Sequence, residues 1–66
     1  MDIIINGQEE SLNKQISLLE LINQKGLDKE KIIVELNLKI VQRENLENTQ
    51  IRKGDSVEIV SFVGGG

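Results

Sequence analysis

Two strongly apolar runs stand near the opposite ends of this chain, and the one well-marked helix lies between them. That layout narrows the available folds. Ile3-Ile4-Ile5 and the run from Val57 to Val63 are too apolar for exposed sheet edges and suit central strands. As neighbours they can run parallel, because the helix and the intervening strands supply the long crossover that parallel pairing requires. A single helix must then cover one face of a mixed sheet.

The turn and cap signals divide the chain into short elements. Asp2-Ile3-Ile4-Ile5-Asn6 reads as a strand closing in an Asn6-Gly7 hairpin turn, since Asn-Gly tolerates the positive φ such turns need. Gln8 to Asn13 is the returning strand, polar enough for an edge, with Leu12 pointing inward. Ser17-Leu18-Leu19-Glu20 matches a capping box, and Ile16 with Leu21 occupies the positions of a hydrophobic staple. Leu18, Leu21 and Ile22 mark one apolar helix face, Gly26 is a left-handed stop, and Leu27 folds back onto the helix. Asp28 to Lys31 is a charged connection. Ile32 to Leu36 is a third strand, with Ile32, Val34 and Leu36 on one face and Ile33 with Glu35 on the other. Asn37-Leu38 turns the chain into a brief fourth strand, Lys39-Ile40-Val41. Arg43 to Asn48 is polar and accommodates one helical turn. Lys53-Gly54-Asp55 is a second clear turn, leading to a last strand from Val57 to Val63.

Composition excludes several kinds of function. A chain of 66 residues makes one domain with a thin core, burying about 60% of its unfolded surface, and has no room for a deep pocket. It contains no Cys and no His, so a disulfide framework, a thiol nucleophile and the usual neutral-pH acid/base group are all missing. Phe62 is the only aromatic residue, and the net charge is −3 with acids and bases interspersed. Nucleic-acid binding needs a basic footprint and stacking aromatics, so it is disfavoured. No apolar run reaches membrane-spanning length, and no basic region precedes an apolar run as in a signal peptide, so the expected location is cytoplasmic. Glu9, Glu10, Asp28, Glu30, Glu44 and Glu47 read as a solvated surface, with no metal site and no paired-carboxylate catalytic site among them.

The remaining chemistry lies at the end of the sequence. Gly64, Gly65 and Gly66 follow the last strand with no spacer. Three glycines extend about 10 Å and carry no side chain to obstruct a narrow channel. A terminal carboxylate is ionised at neutral pH and is a poor electrophile until converted to a mixed anhydride. Residues 1–63 are therefore expected to form a handle, with residues 64–66 as a flexible tail, Gly64 and Gly65 threading a partner enzyme and Gly66 bearing the reactive group. If Val57 and Ile59 face the helix, alternation puts Val60 and Phe62 on the open face, together with Ile4 and Ile33. An exposed apolar patch beside a reactive tail suggests a docking surface, with Phe62 as its main anchor.

The element order and the glycine ending resemble the β-grasp, ubiquitin-like fold, an α+β architecture in which a mixed sheet of four to five strands packs on one main helix. Within it the chain is similar to the ThiS sulfur carriers of bacterial thiamin-thiazole synthesis. The resemblance runs nearly end to end. It rests on Ile3-Ile4-Ile5-Asn6-Gly7, on Ser17-Leu18-Leu19-Glu20-Leu21-Ile22 with Gly26-Leu27-Asp28, and on Val34-Glu35-Leu36-Asn37 with Lys39-Ile40-Val41. Its most specific block is Lys53-Gly54-Asp55-Ser56-Val57-Glu58-Ile59-Val60 leading to Phe62-Val63-Gly64-Gly65-Gly66. Two features depart from the family: Leu38 stands where glycine usually follows the turn asparagine, and the second strand is unusually polar. The resemblance implies a co-substrate rather than an enzyme. A ThiF-type adenylyltransferase would use ATP and Mg to adenylate the Gly66 carboxylate. Sulfur, usually from a cysteine desulfurase persulfide, would displace AMP to leave a thiocarboxylate, and a ThiG-type thiazole synthase would accept that sulfur. The alternatives are a sulfur carrier for molybdopterin or amino-acid synthesis, and a ubiquitin-like protein modifier joined to lysines through Gly66.

Overall fold

Residues 1–62 are described by the computed structural model, and their backbone forms one five-stranded mixed sheet with a helix across one face. The first two strands, β1 (Asp2–Ile5) and β2 (Gln8–Ser11), pair antiparallel around the Asn6-Gly7 turn. Both turn residues have positive φ, 50° and 81°, the conformation that makes Asn-Gly the favoured pair in such hairpins. β2 ends at Ser11, two residues before the sequence suggested. Its partner strand starts at Asp2, which pairs with Ser11, so Asn13 has nothing left to pair with. Leu12 is held instead by its N–H to the Met1 carbonyl at 2.8 Å, and it packs against the core.

The helix α1 (Leu18–Gln24) carries the expected capping box. The Glu20 N–H donates to Ser17 Oγ and the Ser17 N–H donates to Glu20 Oε1, both at 3.1 Å. Gly26, with φ 71°, ends it. The Gly26 N–H donates to the Asn23 carbonyl and the Leu27 N–H to the Ile22 carbonyl, the paired bonds of a Schellman ending. The stretch after it is more ordered than a bare charged connection. Asp28 accepts the Glu30 N–H at 2.9 Å and so starts a short 3-10 turn, Lys29–Lys31.

Strands β3 (Ile32–Leu36), β4 (Lys39–Val41) and β5 (Ser56–Ser61) complete the sheet in the order β2-β1-β5-β3-β4. β1 and β5 run parallel, with Ile5 opposite Val57. The crossover between them contains everything else, as the two apolar ends required. Among the described residues β5 runs to Ser61, which pairs with Ile32, the first residue of β3. The Phe62 N–H still reaches the Lys31 carbonyl at 3.1 Å. The expectations for Val63, Gly64, Gly65 and Gly66 lie outside the described residues.

Ile3, Ile5, Val34, Val57 and Ile59 face Leu18, Leu21 and Ile22 of the helix across the core. Two core members come from the crossover before β5, one of them from the segment Arg43 to Asn48 that was expected to be polar. Leu46, within a 3-10 helix at Arg43–Asn48, and Ile51 are both buried, Ile51 completely. Backbone bonds fix this segment to the start of α1: the Leu18 N–H donates to the Thr49 carbonyl and the Ile51 N–H to the Ile16 carbonyl, each at 2.9 Å. No helix among the described residues is long and apolar enough to cross a membrane.

Candidate functional site

Two asparagines in left-handed conformation bracket β5 and hold it in register. Asn6 accepts the Ile59 N–H at 2.8 Å through Oδ1, which continues the parallel ladder one step past the end of β1. Asn37 accepts the Ser56 N–H at 2.9 Å through Oδ1 and donates from Nδ2 to Asp55 Oδ1 at 3.0 Å. Asp55 Oδ2 in turn accepts the Arg52 N–H at 2.7 Å. Side chains from two hairpin turns thereby satisfy backbone donors of the strand that leads into the glycines, donors that would otherwise be unpaired.

With β5 fixed, its alternation decides which side chains face outward. Val57 and Ile59 point into the core, and Glu58 and Val60 point away from the helix. Val60 pairs directly with Ile33 on β3, and both are about half exposed, 53% and 44%. Phe62 at 41% and Ile4 at 38% are exposed to a similar degree. The four residues assigned to the docking surface thus lie at the surface. Ile33, Val60 and Phe62 stand together at the tail end of β5, and Ile4 lies farther back on β1, opposite Ser56.

Ile40, at 62% exposure, belongs to the same face, because it pairs with Glu35. The sequence held that signal: a two-residue Asn37-Leu38 turn pairs Leu36 with Lys39 and therefore Glu35 with Ile40. Single exposed apolar residues are ordinary; here Ile33, Ile40 and Val60 share one sheet face.

The Asn37-Leu38 turn shows the consequence of the missing glycine. Asn37 and Leu38 have φ of 52° and 72°, so Leu38 adopts the left-handed conformation with its Cβ in place. Its side chain is 86% exposed and buries little in return. Leu38→Gly is therefore expected to stabilise the chain by about 0.5–1 kcal/mol, since glycine removes a left-handed strain of about 1–2 kcal/mol and returns only part of it as chain entropy. Denaturant titration of the two forms checks this, and a loss of stability would show that the turn does not strain leucine.

Comparison with known proteins adds what the geometry alone does not name. The model of the ThiS family matches residues 3–66. A crystal structure of a thiamine biosynthesis protein (ThiS) from Geobacter metallireducens superposes with a TM-score of 0.86 at 30% identity, each chain covered in full. A solution structure of a thiamine biosynthesis protein from the same organism gives 0.83, with 88% of that chain covered. Among curated relatives, a thiazole synthase of Paramagnetospirillum magneticum is 36% identical across the whole of this chain, which spans only 20% of that protein. An uncharacterized protein (ycf40) of Trieres chinensis is 37% identical over 94% of this chain and 85% of its own length. The sheet order, the parallel terminal strands, the single covering helix and the family match through the last glycine lead to one assignment: the chain has the β-grasp, ubiquitin-like fold and belongs to the ThiS family of thiamine biosynthesis.

Proposed function

We propose that this chain is a sulfur carrier whose reactive group is the carboxylate of Gly66. The observation that carries this reading is the ThiS-family match, which extends through Gly66 itself. A carboxylate oxygen attacks the α-phosphorus of ATP, with Mg supplied in the activating enzyme, and pyrophosphate leaves. The acyl-adenylate is now electrophilic. The terminal sulfur of a persulfide, formed by a cysteine desulfurase, attacks the carbonyl carbon and AMP leaves. A thiol then reduces the resulting acyl disulfide and frees the thiocarboxylate. The chain has no Cys and no His with which to perform any of these steps, so the catalytic groups belong to a ThiF-type adenylyltransferase. The acceptor is a ThiG-type thiazole synthase. In its favour, a protein named thiazole synthase contains a region similar to this entire chain.

Intact-mass measurement tests the proposal. After incubation with ATP, Mg, a ThiF-type enzyme and a persulfide source, the chain is expected to gain sulfur in place of one oxygen. Attachment to lysines of other proteins would make it a protein modifier instead. Sulfur loading followed by a stable complex with a molybdopterin synthase large subunit would change the product and keep the chemistry.

Docking is expected to run through the apolar face. Phe62→Ala should weaken binding to the activating enzyme by about 2 kcal/mol, the scale of an aromatic anchor. It should cost about 1 kcal/mol or less of stability, since the ring is 41% exposed and lies beyond the end of β5. Titration calorimetry and thermal melts read the two effects separately. A stability loss of about 3–5 kcal/mol would place the ring in the core instead.

A further inference from the structure

Of the six asparagines in the chain, only Asn6 is followed by glycine. That step is the one most open to attack on the side-chain amide by the next backbone nitrogen, because glycine has no Cβ to hinder its own N–H. Both residues are exposed at the tip of the β1–β2 hairpin, and nothing lies within 4 Å of where a Gly7 Cβ would stand. Neither the Gly7 N–H nor Asn6 Nδ2 has a hydrogen-bond partner among the described residues. Nucleophile and leaving group are therefore both free. Asn37 is the internal contrast. Its backbone is left-handed in the same way, with φ 52° against 50°, but its Nδ2 is bonded to Asp55 and leucine follows it.

The folded turn opposes the reaction that its sequence invites. Closing a five-membered ring requires the Gly7 nitrogen to eclipse Asn6 Cβ about the Cα–C bond. A left-handed residue has ψ of about +30 to +60°, which in an L residue turns the following nitrogen nearly opposite to Cβ. The side chain is also tied down, since Asn6 Oδ1 accepts the Ile59 N–H. Ring closure thus requires the hairpin tip to open and that bond to break.

We propose that Asn6 is a deamidation site gated by the fold, and that its isoaspartyl product releases β5 from the β1–β2 turn. In the open turn the Gly7 nitrogen gives up its proton and bonds to Asn6 Cγ. The Cγ–Nδ2 bond breaks, and Nδ2 leaves with that proton as ammonia. Water then cleaves either C–N bond of the succinimide. Cleavage at Cγ gives aspartate, whose carboxylate still accepts from Ile59. Cleavage at the main-chain carbonyl gives isoaspartate, which adds a methylene to the backbone and leaves the carboxylate on Cα. That product cannot reproduce both the two-residue turn and the bond to Ile59. The loss falls on the strand that leads to Val60, Phe62 and the glycines.

The test incubates the full chain at neutral pH, in buffer and in guanidinium chloride. Mass spectrometry follows the exchange of –NH2 for –OH. Fragmentation of the tryptic peptide Met1–Lys14 assigns the residue, and methyl incorporation by an isoaspartyl methyltransferase identifies the product. Asn6 should convert first, and at least about tenfold faster unfolded than folded, the ratio following the population of the open turn. The purified isoaspartyl chain should melt about 4–8 °C or more below the parent, the shift for one lost hydrogen bond in a domain of this size. Its Ile59 amide should exchange with solvent faster. Asn6→Asp keeps the acceptor, so it should melt near the parent and keep Ile59 protected. Earlier conversion of another asparagine, or equal rates in the two solvents, would overturn the proposal. So would an isoaspartyl chain with the parent's melting temperature and Ile59 protection. So would an aspartate variant that loses as much as the isoaspartyl chain, since charge and not the added backbone atom would then release β5.

Discussion

Removal of Gly66 is expected to abolish sulfur loading and to leave the melting temperature within about a degree of the full chain's. The two halves of that expectation have separate causes. Deletion moves the terminal carboxylate back by one residue, about 3.3–3.6 Å. A reacting group misplaced by even about 1 Å loses a large part of its rate, so a carboxylate held that far from the α-phosphorus does not react. The fold is expected to have no corresponding dependence. Among the described residues the buried apolar core is drawn from Ile3 to Ile59, and β5 pairs with β3 as far as Ser61. Intact-mass analysis after the loading reaction and a thermal melt of the same sample read both effects. Full loading at the new Gly65 terminus would show that the activating enzyme does not measure reach. Unfolding of the shortened chain would refute the division into handle and tail.

Which parts of the molecule could be read from residues alone depends on how locally each part is specified. Strand β3 and the helix cap are specified locally: Ile32, Ile33 and Val34 alternate buried, exposed, buried, and Ser17 with Glu20 closes a cap within four residues. The outward placement of Ile33, Val60 and Phe62 followed from the same alternation, once the helix was assigned to the other face. What local pattern does not carry is set by partners distant in sequence. The end of β2 depends on where β1 begins, and Ser61 of β5 finds its partner at the first residue of β3. The pairing of Glu35 with Glu58 across β3 and β5 is of this kind, since each glutamate is ordinary in its own strand and only the register brings them together. Asn6 is another case. Its turn was visible in Asn6-Gly7, but its bond to the Ile59 N–H spans 53 positions and exists only because β1 and β5 are neighbours.

Ile51 is the sharpest instance, and it gives the prediction with the largest effect on stability. It lies among Asn48, Thr49, Gln50, Arg52 and Lys53, where no helical or strand period marks it as internal. Yet its side chain is completely buried, and its N–H is bonded to Ile16 just before the helix cap. It joins Leu46 of the 3-10 helix and Leu18 of α1 in the one buried core. Ile51→Ala shortens its side chain and leaves a cavity, at a cost of about 2–5 kcal/mol. A chain of this length has a total stability of only about 3–10 kcal/mol, so the variant is expected to be largely unfolded at physiological temperature or to melt far below the parent. Ile51→Val should cost about 0.5–1.5 kcal/mol and remain folded. Denaturant titration of both variants, followed by far-ultraviolet circular dichroism, measures the difference. An alanine variant that loses less than about 1 kcal/mol would mean that the segment from Thr49 to Arg52 closes over the gap, and that the crossover is held by its backbone bonds to Ile16 and Leu18 rather than by the side chain it inserts.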